Sequence, residues 1–407
     1  MAKNNSKYKS VPLGELVTLQ QGLAINKKSK HLLVEKSSLS LLRITDLIND
    51  KKTQYVDEAA VPKQFIADDA SLIYTRTGQV GLVFRNRQGV VHNNCFKIIF
   101  GNDLDKDYLY YALKQNRVYN HANQIAQKAA QPDLTHGAFK SISIELHPIK
   151  IQKRIGSILN AYDNLIDLNQ KRVSLLEEMA QAIYIEWFVN FRFPGHENVK
   201  LVDSKTDFGE IPEGWTVEKM LDVGQVITGK TPSKLIESNF GHEVPFIKTP
   251  DLHGNIFCIK TSEYLSEKGA NSQKKKTLPR NTLIVSCIGT LGVVSITTKE
   301  SQTNQQINAL VPNDDTFLEY GYFLLKGMKK QLQNLGSNGA TMGNVNKGKF
   351  ENIKVILPSK ANLNEFNQVT STMFQLIENL QKQNLYLTQT RDLLIPKLVT
   401  GEIEIKA

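Results

Sequence analysis

Ile166-Asp-Leu-Asn-Gln-Lys-Arg-Val-Ser-Leu-Leu-Glu-Glu-Met-Ala-Gln-Ala-Ile-Tyr-Ile-Glu-Trp-Phe-Val189 lies inside the apolar repeat that decides the fold. The repeat begins at Ile151 and continues through Ile155, Ile158, Tyr162, Ile166, Asn169, Val173, Leu176, Ala180, Ile183 and Trp187. Its steps of three and four make a heptad seam, with one extra four-step near Tyr162 that would locally unwind a supercoil. No Gly or Pro falls between Ser157 and Phe193, and Pro194-Gly195 stops the run. Some forty helical residues span about 60 Å, too long for an ordinary packed helix. The spacing predicts one arm of a coiled coil.

A second arm closes the chain. Leu363, Phe366, Thr370, Met373, Ile377, Leu380, Asn384, Leu387, Arg391, Leu394 and Leu398 step three and four throughout, and Thr400-Gly401 breaks the run. Each seam carries one Asn, Asn169 and Asn384. Buried, such a residue fixes register at a cost in stability; at a frayed position it would face solvent.

The 407 residues are too many for one core and suit two or three domains. No apolar run reaches membrane-spanning length, and the polar, basic stretch Met1–Lys9 lacks the hydrophobic region of a secretory signal. Cys95, Cys258 and Cys287 are odd in number and widely separated, as expected of reduced thiols in a cytosolic protein. Neither they nor the eight scattered histidines suggest a metal site. The net charge of +10 favours polyanionic partners, chiefly nucleic acid.

Between and before the arms the chain repeats itself. Ser71-Leu-Ile-Tyr-Thr-Arg-Thr-Gly-Gln-Val-Gly81 aligns with Thr282-Leu-Ile-Val-Ser-Cys-Ile-Gly-Thr-Leu-Gly292, 211 residues on; Asn93-Asn94, Tyr111 and Phe139 fall on Asn304-Gln305, Tyr322 and Phe350. Leu42-Arg-Ile-Thr-Asp-Leu47 resembles Ile247-Lys-Thr-Pro-Asp-Leu252 after a small shift. Each copy reads as a strand, a Gly turn and a second strand within a mixed α/β domain. Tyr108–Gln127 is helical in pattern, and Ser141–Leu146 alternates as a strand leading into the first arm.

Three segments resemble the specificity subunits of type I restriction–modification systems: Glu186-Trp-Phe-Val-Asn-Phe-Arg-Phe-Pro-Gly-His196, Gly209-Glu-Ile-Pro-Glu-Gly-Trp215 and Leu393-Leu-Ile-Pro-Lys-Leu-Val-Thr-Gly-Glu402. With the duplication, the likeness covers the whole chain. It implies an α+β (mixed α/β) fold with an internal pseudo-twofold repeat. Two target recognition domains, 1–148 and 216–358, are expected. The long helices 149–193 and 359–407 (the latter with the C-terminal tail) would pair as an antiparallel coiled-coil spacer, and 194–215 would be an exposed linker. The resemblance further implies binding to double-stranded DNA at a bipartite site, without chemistry in this chain. Two modification (methyltransferase) subunits and the restriction subunits are the implied partners. S-adenosylmethionine, ATP and Mg are expected on those subunits, in the cytoplasm of a bacterium or archaeon.

Two rival readings start from other features. Gly224-Gln-Val-Ile-Thr-Gly229-Lys230-Thr231 satisfies the Walker A spacing, but charged residues precede it and Pro232 follows it. A nucleotide-binding enzyme would need a buried strand before the loop and a helix after it. The second rival is a coiled-coil tether whose charge is incidental. Methylation motifs, an S-adenosylmethionine loop and a nuclease carboxylate–Lys cluster are absent from the sequence, so methylation or cleavage would fall to other chains.

Candidates for DNA contact are polar residues of the loops. Arg pairs bidentately with guanine and Asn or Gln with adenine, while Lys, Ser and Thr mostly hold phosphates. In the first domain these are Arg43, Thr45, Arg76, Thr77, Gln79, Lys128 and Gln131. In the second they are Lys230, Lys248, Thr249, Lys274, Lys275, Ser286, Thr290, Asn338 and Thr341.

Overall fold

The repeat in the sequence is a repeat of topology. A computed structural model describes residues 8–126, 132–337 and 343–406. In the first copy a sheet runs in the order Val17–Gln21, Cys95–Phe100, Leu72–Thr75, Val83–Arg85. In the second, Gly224–Thr228, Ile307–Pro312, Leu283–Ser286 and Val294–Thr297 follow the same order, and Phe257–Cys258 adds a parallel fifth strand. The strand pair Ser10–Pro12 with Ser143–Glu145 returns as Thr216–Lys219 with Lys354–Leu357. The chain divides into two compact units, Met1–Ile166 with Tyr386–Ala407, and Asp167–Leu385. That division falls inside both long helices rather than at their ends.

The first long helix is Ile149–Tyr184 and the second Lys360–Val399. Within the first unit, Ile151, Ile155 and Leu159 share a buried core with Ile395, Leu398 and Val399. His147 Nε2 lies 2.8 Å from the Val399 carbonyl, and Arg391 meets Asp163, so the helical segments run antiparallel there. Within the second unit, Asn169 Nδ2 donates to Asn384 Oδ1 at 2.9 Å, while Tyr184 contacts Phe366. Those segments are antiparallel too. Asn169 is fully buried, which answers the question its seam position raised.

The buried stripes depart from a pure heptad. Leu159, Phe374 and Ile395 are buried where Ile158, Met373 and Leu394 are only half-buried. Each helix faces its partner helix and a domain at once, and two contacts widen the stripe. The first helix also stops short of Phe193. Ile185–Val189 forms a π-helical turn, and Phe191 takes a left-handed conformation with φ +57°. This brings Phe188, 4.9 Å from Phe366 and 5.7 Å from Trp215, into the core. The segment 194–215 is partly structured: Leu201–Asp203 pairs with Glu210–Pro212, and buried Trp215 donates from Nε1 to Asn362 Oδ1 at 3.0 Å. The helix expected over Tyr108–Gln127 is two, Lys106–Lys114 and Asn116–Ala126, parted at Gln115 by an extended ψ of 137°.

Each domain seats on its helical segments by different chemistry. In the first unit Arg85 bridges Asp107 and Asp163, both at 2.7 Å, and bonds Asn160; Tyr111 donates to Asp163 at 2.7 Å. Arg391 closes the group from the second helix at 2.5 Å. In the second unit the seat is aromatic, with Tyr184, Phe188, Tyr320, Phe323, Phe366 and Phe374 in mutual contact. Ionic contacts between domain and helix are present there as well: Lys326 with Glu177 at 2.7 Å, Arg280 with the buried Glu378 at 2.5 Å, and Lys360 with Asp314.

Candidate nucleic-acid interface

One rim of loops is built twice, by the same backbone contacts. The Thr75 hydroxyl accepts from Leu82 N, and the Ser286 hydroxyl from Val293 N, both at 2.9 Å, closing the two Gly turns. Gly78, Gly81, Gly289 and Gly292 all have φ between +76° and +98°, the left-handed region that favours glycine. Gly78 N donates to Pro132 O and Gly289 N to Gly343 O, each at 3.1 Å; Leu134 N to Arg76 O and Val345 N to Cys287 O extend the match. Gly22 and Gly229 cross the Asn-containing turns so tightly that a Cβ would lie 2.2 and 2.1 Å from the carbonyls of His92 and Asn304. Each rim thus joins the end of the first sheet strand, a Gly turn, an Asn turn and the segment after 131 or 342.

In the first rim Arg76 is committed to an internal partner. Its Nη2 donates to both oxygens of Asp133 at 2.6 and 2.7 Å, and its Nη1 to Gln21 Oε1 at 3.2 Å. Thr77 reaches the same Asp133 at 3.0 Å, and His136 Nε2 sits 3.0 Å from Gln21 Oε1. Burial, with Arg76 and Lys140 nearby, holds the His136 imidazole below its usual pKa, so it is neutral near pH 7. Without DNA, Asp133 thus occupies the guanidinium expected to read a base. Arg43 is occupied likewise. It stands just before the helix Ile44–Asn49, where its side chain pairs with Asp46 at 2.7 Å and bonds Thr53. Burial opposes the Asp46 charge, yet the Arg43 and Thr53 bonds keep its carboxyl below the usual range. Thr45 and Gln79 are exposed, Gln79 on the Gly turn itself. Lys128 and Gln131 lie outside the described residues.

In the second rim, exposed Lys230 and Thr290 occupy the strand end and the Gly turn. Lys274 and Lys275 stand exposed on the short turn Lys274–Lys276. Three other candidates are structural. Ser286 is fully buried, its hydroxyl used to close the turn. Thr249 is 8% exposed with its hydroxyl 3.4 Å from Gln306 Oε1, and Lys248 pairs with Glu263. Asn338 and Thr341 lie outside the described residues.

The structure adds residues that the sequence left unmarked. Thr231 donates to exposed Gln305 at 2.7 Å, and Asn304 to Gln306 at 3.0 Å, so beside Lys230 the second rim presents a cluster of neutral amides and hydroxyls. Gln21, Asp133 and His136 complete the first. A signal was available: the isolated bridges Thr77–Asp133 and Ile288–Asn344 keep the 211-residue spacing of the duplication.

The Walker A spacing takes no phosphate-loop geometry. Gly224–Thr228 is a strand paired with Ile307–Pro312, Lys230 N donates to Thr303 O, and no helix begins at Lys230. Among the described residues no His, Cys, Asp or Glu cluster is placed to hold a metal ion. Burial pushes the Cys95 and Cys258 thiols up to about 12 and Cys287 to about 11, so none is a thiolate near neutrality. No helix of the described residues is long and apolar enough to cross a membrane.

The chain is similar to known proteins in sequence and in fold. The profile described as the type I restriction modification DNA specificity domain matches twice, over residues 5–178 and 212–389. The specificity subunit of the type I restriction enzyme HindI from Haemophilus influenzae is 32% identical over 355 residues, covering 73% of this chain and 77% of that one. The MjaIX specificity subunit from Methanocaldococcus jannaschii is 25% identical over 347 residues, with 83% and 78% covered. In structure, the type I restriction–modification S subunit from M. genitalium superposes with a TM-score of 0.62 over 98% of both chains at 14% identity, a likeness of fold.

Proposed function

The chain belongs to the family of type I restriction–modification DNA specificity subunits, and from that premise we propose that each of its two rims reads one block of a bipartite double-stranded DNA site. The observation that carries this reading is the duplicated rim. Two domains present the same Gly turn, Asn turn and strand end, clothed in different side chains. A shared backbone with unlike side chains suits two unlike blocks, since base edges are read by side chains and position is fixed by phosphate contacts. The basic excess supplies the sequence-independent attraction.

The same reading makes this chain an adaptor that performs no bond-making step. Two modification subunits would bind it, and restriction subunits would join the complex; S-adenosylmethionine, ATP and Mg belong to those chains. Leu168, Leu175 and Met179 on the first helix, and Val369 and Leu376 on the second, leave 42–57% of their surface exposed, apolar area suited to a protein partner. The setting is the cytoplasm of a bacterium or archaeon.

The test is to map methylated adenines in DNA from cells carrying the chain and its modification partner. Methylation within two short blocks separated by an unread gap is expected. A contiguous motif, or the same methylation after deletion of this chain, would overturn the reading. A tethering protein would leave methylation unchanged, and a fluorescent nucleotide is expected not to bind the isolated chain.

A further inference from the structure

The loop after the first strand of the second rim carries an exposed apolar tip that the recognition scheme does not use. Leu235 leaves 95% of its surface in water, with Ile236 beside it at 48%; the next most exposed large apolar residue among those described is Leu393, at 67%. The loop is braced at several points. Lys230 N donates to Thr303 O at 2.9 Å, Gln273 Nε2 to Lys230 O at 2.8 Å, and Asn239 Nδ2 to Ser233 O at 3.0 Å, while Pro232 is buried. Its base is continuous with the rim through Thr231 and Gln305. Lys230 and Lys234 flank the tip, and Glu237 is the one acid between 230 and 239. The corresponding loop of the first rim carries Asn26-Lys27-Lys28 instead.

We propose that Leu235 is a wedge that enters the base stack of the DNA block read by the second domain, while the first domain leaves its block stacked. This rests on the DNA-recognition reading above. An apolar side chain on a braced loop loses little freedom on insertion, and its burial between bases removes it from water. The flanking lysines match the phosphates on either side of an opened step. Such wedges partly unstack a step and kink the duplex, most readily at pyrimidine–purine steps.

The test uses the full complex with its modification subunits and duplexes carrying the mapped motif. A fluorescent adenine analogue is moved position by position through the second block and its flank. With the native chain, fluorescence rises at one step; Leu235→Ala abolishes the rise and weakens binding about tenfold, whereas Leu235→Met keeps both. A mismatch placed at that step, already unstacked, restores the affinity of Leu235→Ala. The wedge is overturned by a stack unchanged at every position, by a signal that survives in Leu235→Ala, or by Leu235→Ala impairing subunit assembly instead, which would make Leu235 a protein contact. Sequence-specific binding without Leu235-dependent unstacking sinks the wedge alone; absence of sequence-specific binding by the native complex sinks the recognition reading with it.

Discussion

The two halves share a backbone plan but weight differently the contacts that hold their domains to the helices, the first around a shared Arg85–Asp163 cluster and the second around an aromatic one. Arg85, Asp107 and Asp163 of the first unit stand where the second has Ile296, Leu318 and Phe374, 211 residues on. An ion pair of low exposure draws its energy from Coulomb attraction against a desolvation cost, whereas an aromatic cluster draws it from area and edge contacts. At these three positions an ionic cluster in one half answers to apolar side chains in the other. The rims differ in the same sense, with a charged Arg76–Asp133 pair in the first and neutral Thr231–Gln305 in the second.

The largest effect is expected from exchange of a whole domain. Replacing residues 1–148 by the matching domain of another family member should change one block of the methylated motif and leave the other intact. If both blocks changed, the halves would not be independent readers.

Within the aromatic seat, Phe366→Ala should cost about 3–5 kcal/mol, the range for a fully buried Phe. Both tryptophans, Trp187 and Trp215, belong to the second unit, so their fluorescence in urea follows that unit. A shift of that unit's transition to lower urea is expected, while hydrogen exchange of residues 8–126 stays as before.

In the ionic seat, Asp163→Ala should cost about 2 kcal/mol, below the 3–5 expected for a fully buried pair. The discount follows from the side chains of Asp163, Arg85 and Arg391, still 11–15% exposed. Hydrogen exchange of the first unit should report the loss, with the tryptophan transition unmoved; movement of both would show that the seats are coupled. Burial opposes the charge of Asp163, but bonds from Tyr111 and Arg391 hold its carboxyl below the ordinary value of 3.8. With the folded pKa depressed, its contribution is present above pH 3.8 and lost as pH falls through the folded value. Exchange protection in the first unit should therefore depend less on acid in Asp163→Ala than in the native chain.

The smallest effect has the opposite sign. Glu319 is 4% exposed, and burial raises its carboxyl above 4.5 despite a 2.9 Å bond from Asn367. A raised carboxylate pKa costs nothing below 4.5 and penalises the fold as pH rises through the folded value. Glu319→Gln should thus stabilise the second unit by about 1 kcal/mol at pH 7 and by nothing near pH 4, read from urea midpoints. Equal gains at both values would remove the charge from the explanation.

Much of this architecture was legible in the residues because it depends on spacing. Heptad steps marked both helices, the 211-residue repeat marked the domains, and Asn169 and Asn384 meet as their seam positions allowed. Gly78 and Gly289 marked turns that need positive φ. What escaped depends on partners distant in sequence. Arg76 looked free because Asp133 lies 57 residues away, and Ser286 looked like a loop hydroxyl because its acceptor role appears only once Val293 folds back. Lys248 was likewise unreadable without Glu263. The break at Gln115 escaped because helical periodicity continues across it.

The core of the first unit takes Ile395, Leu398 and Val399 from the far end of the second helix. During synthesis that order matters. Residues 167–385, the whole of the second unit, leave the ribosome as one continuous stretch, while the earlier half waits for its last helical turns. At about 5–20 residues per second, the wait after residue 166 is roughly 10–50 s. Throughout it Ile151, Ile155 and Leu159 lack their partner helix, so the half translated first cannot complete its core until the last turns of the second helix emerge.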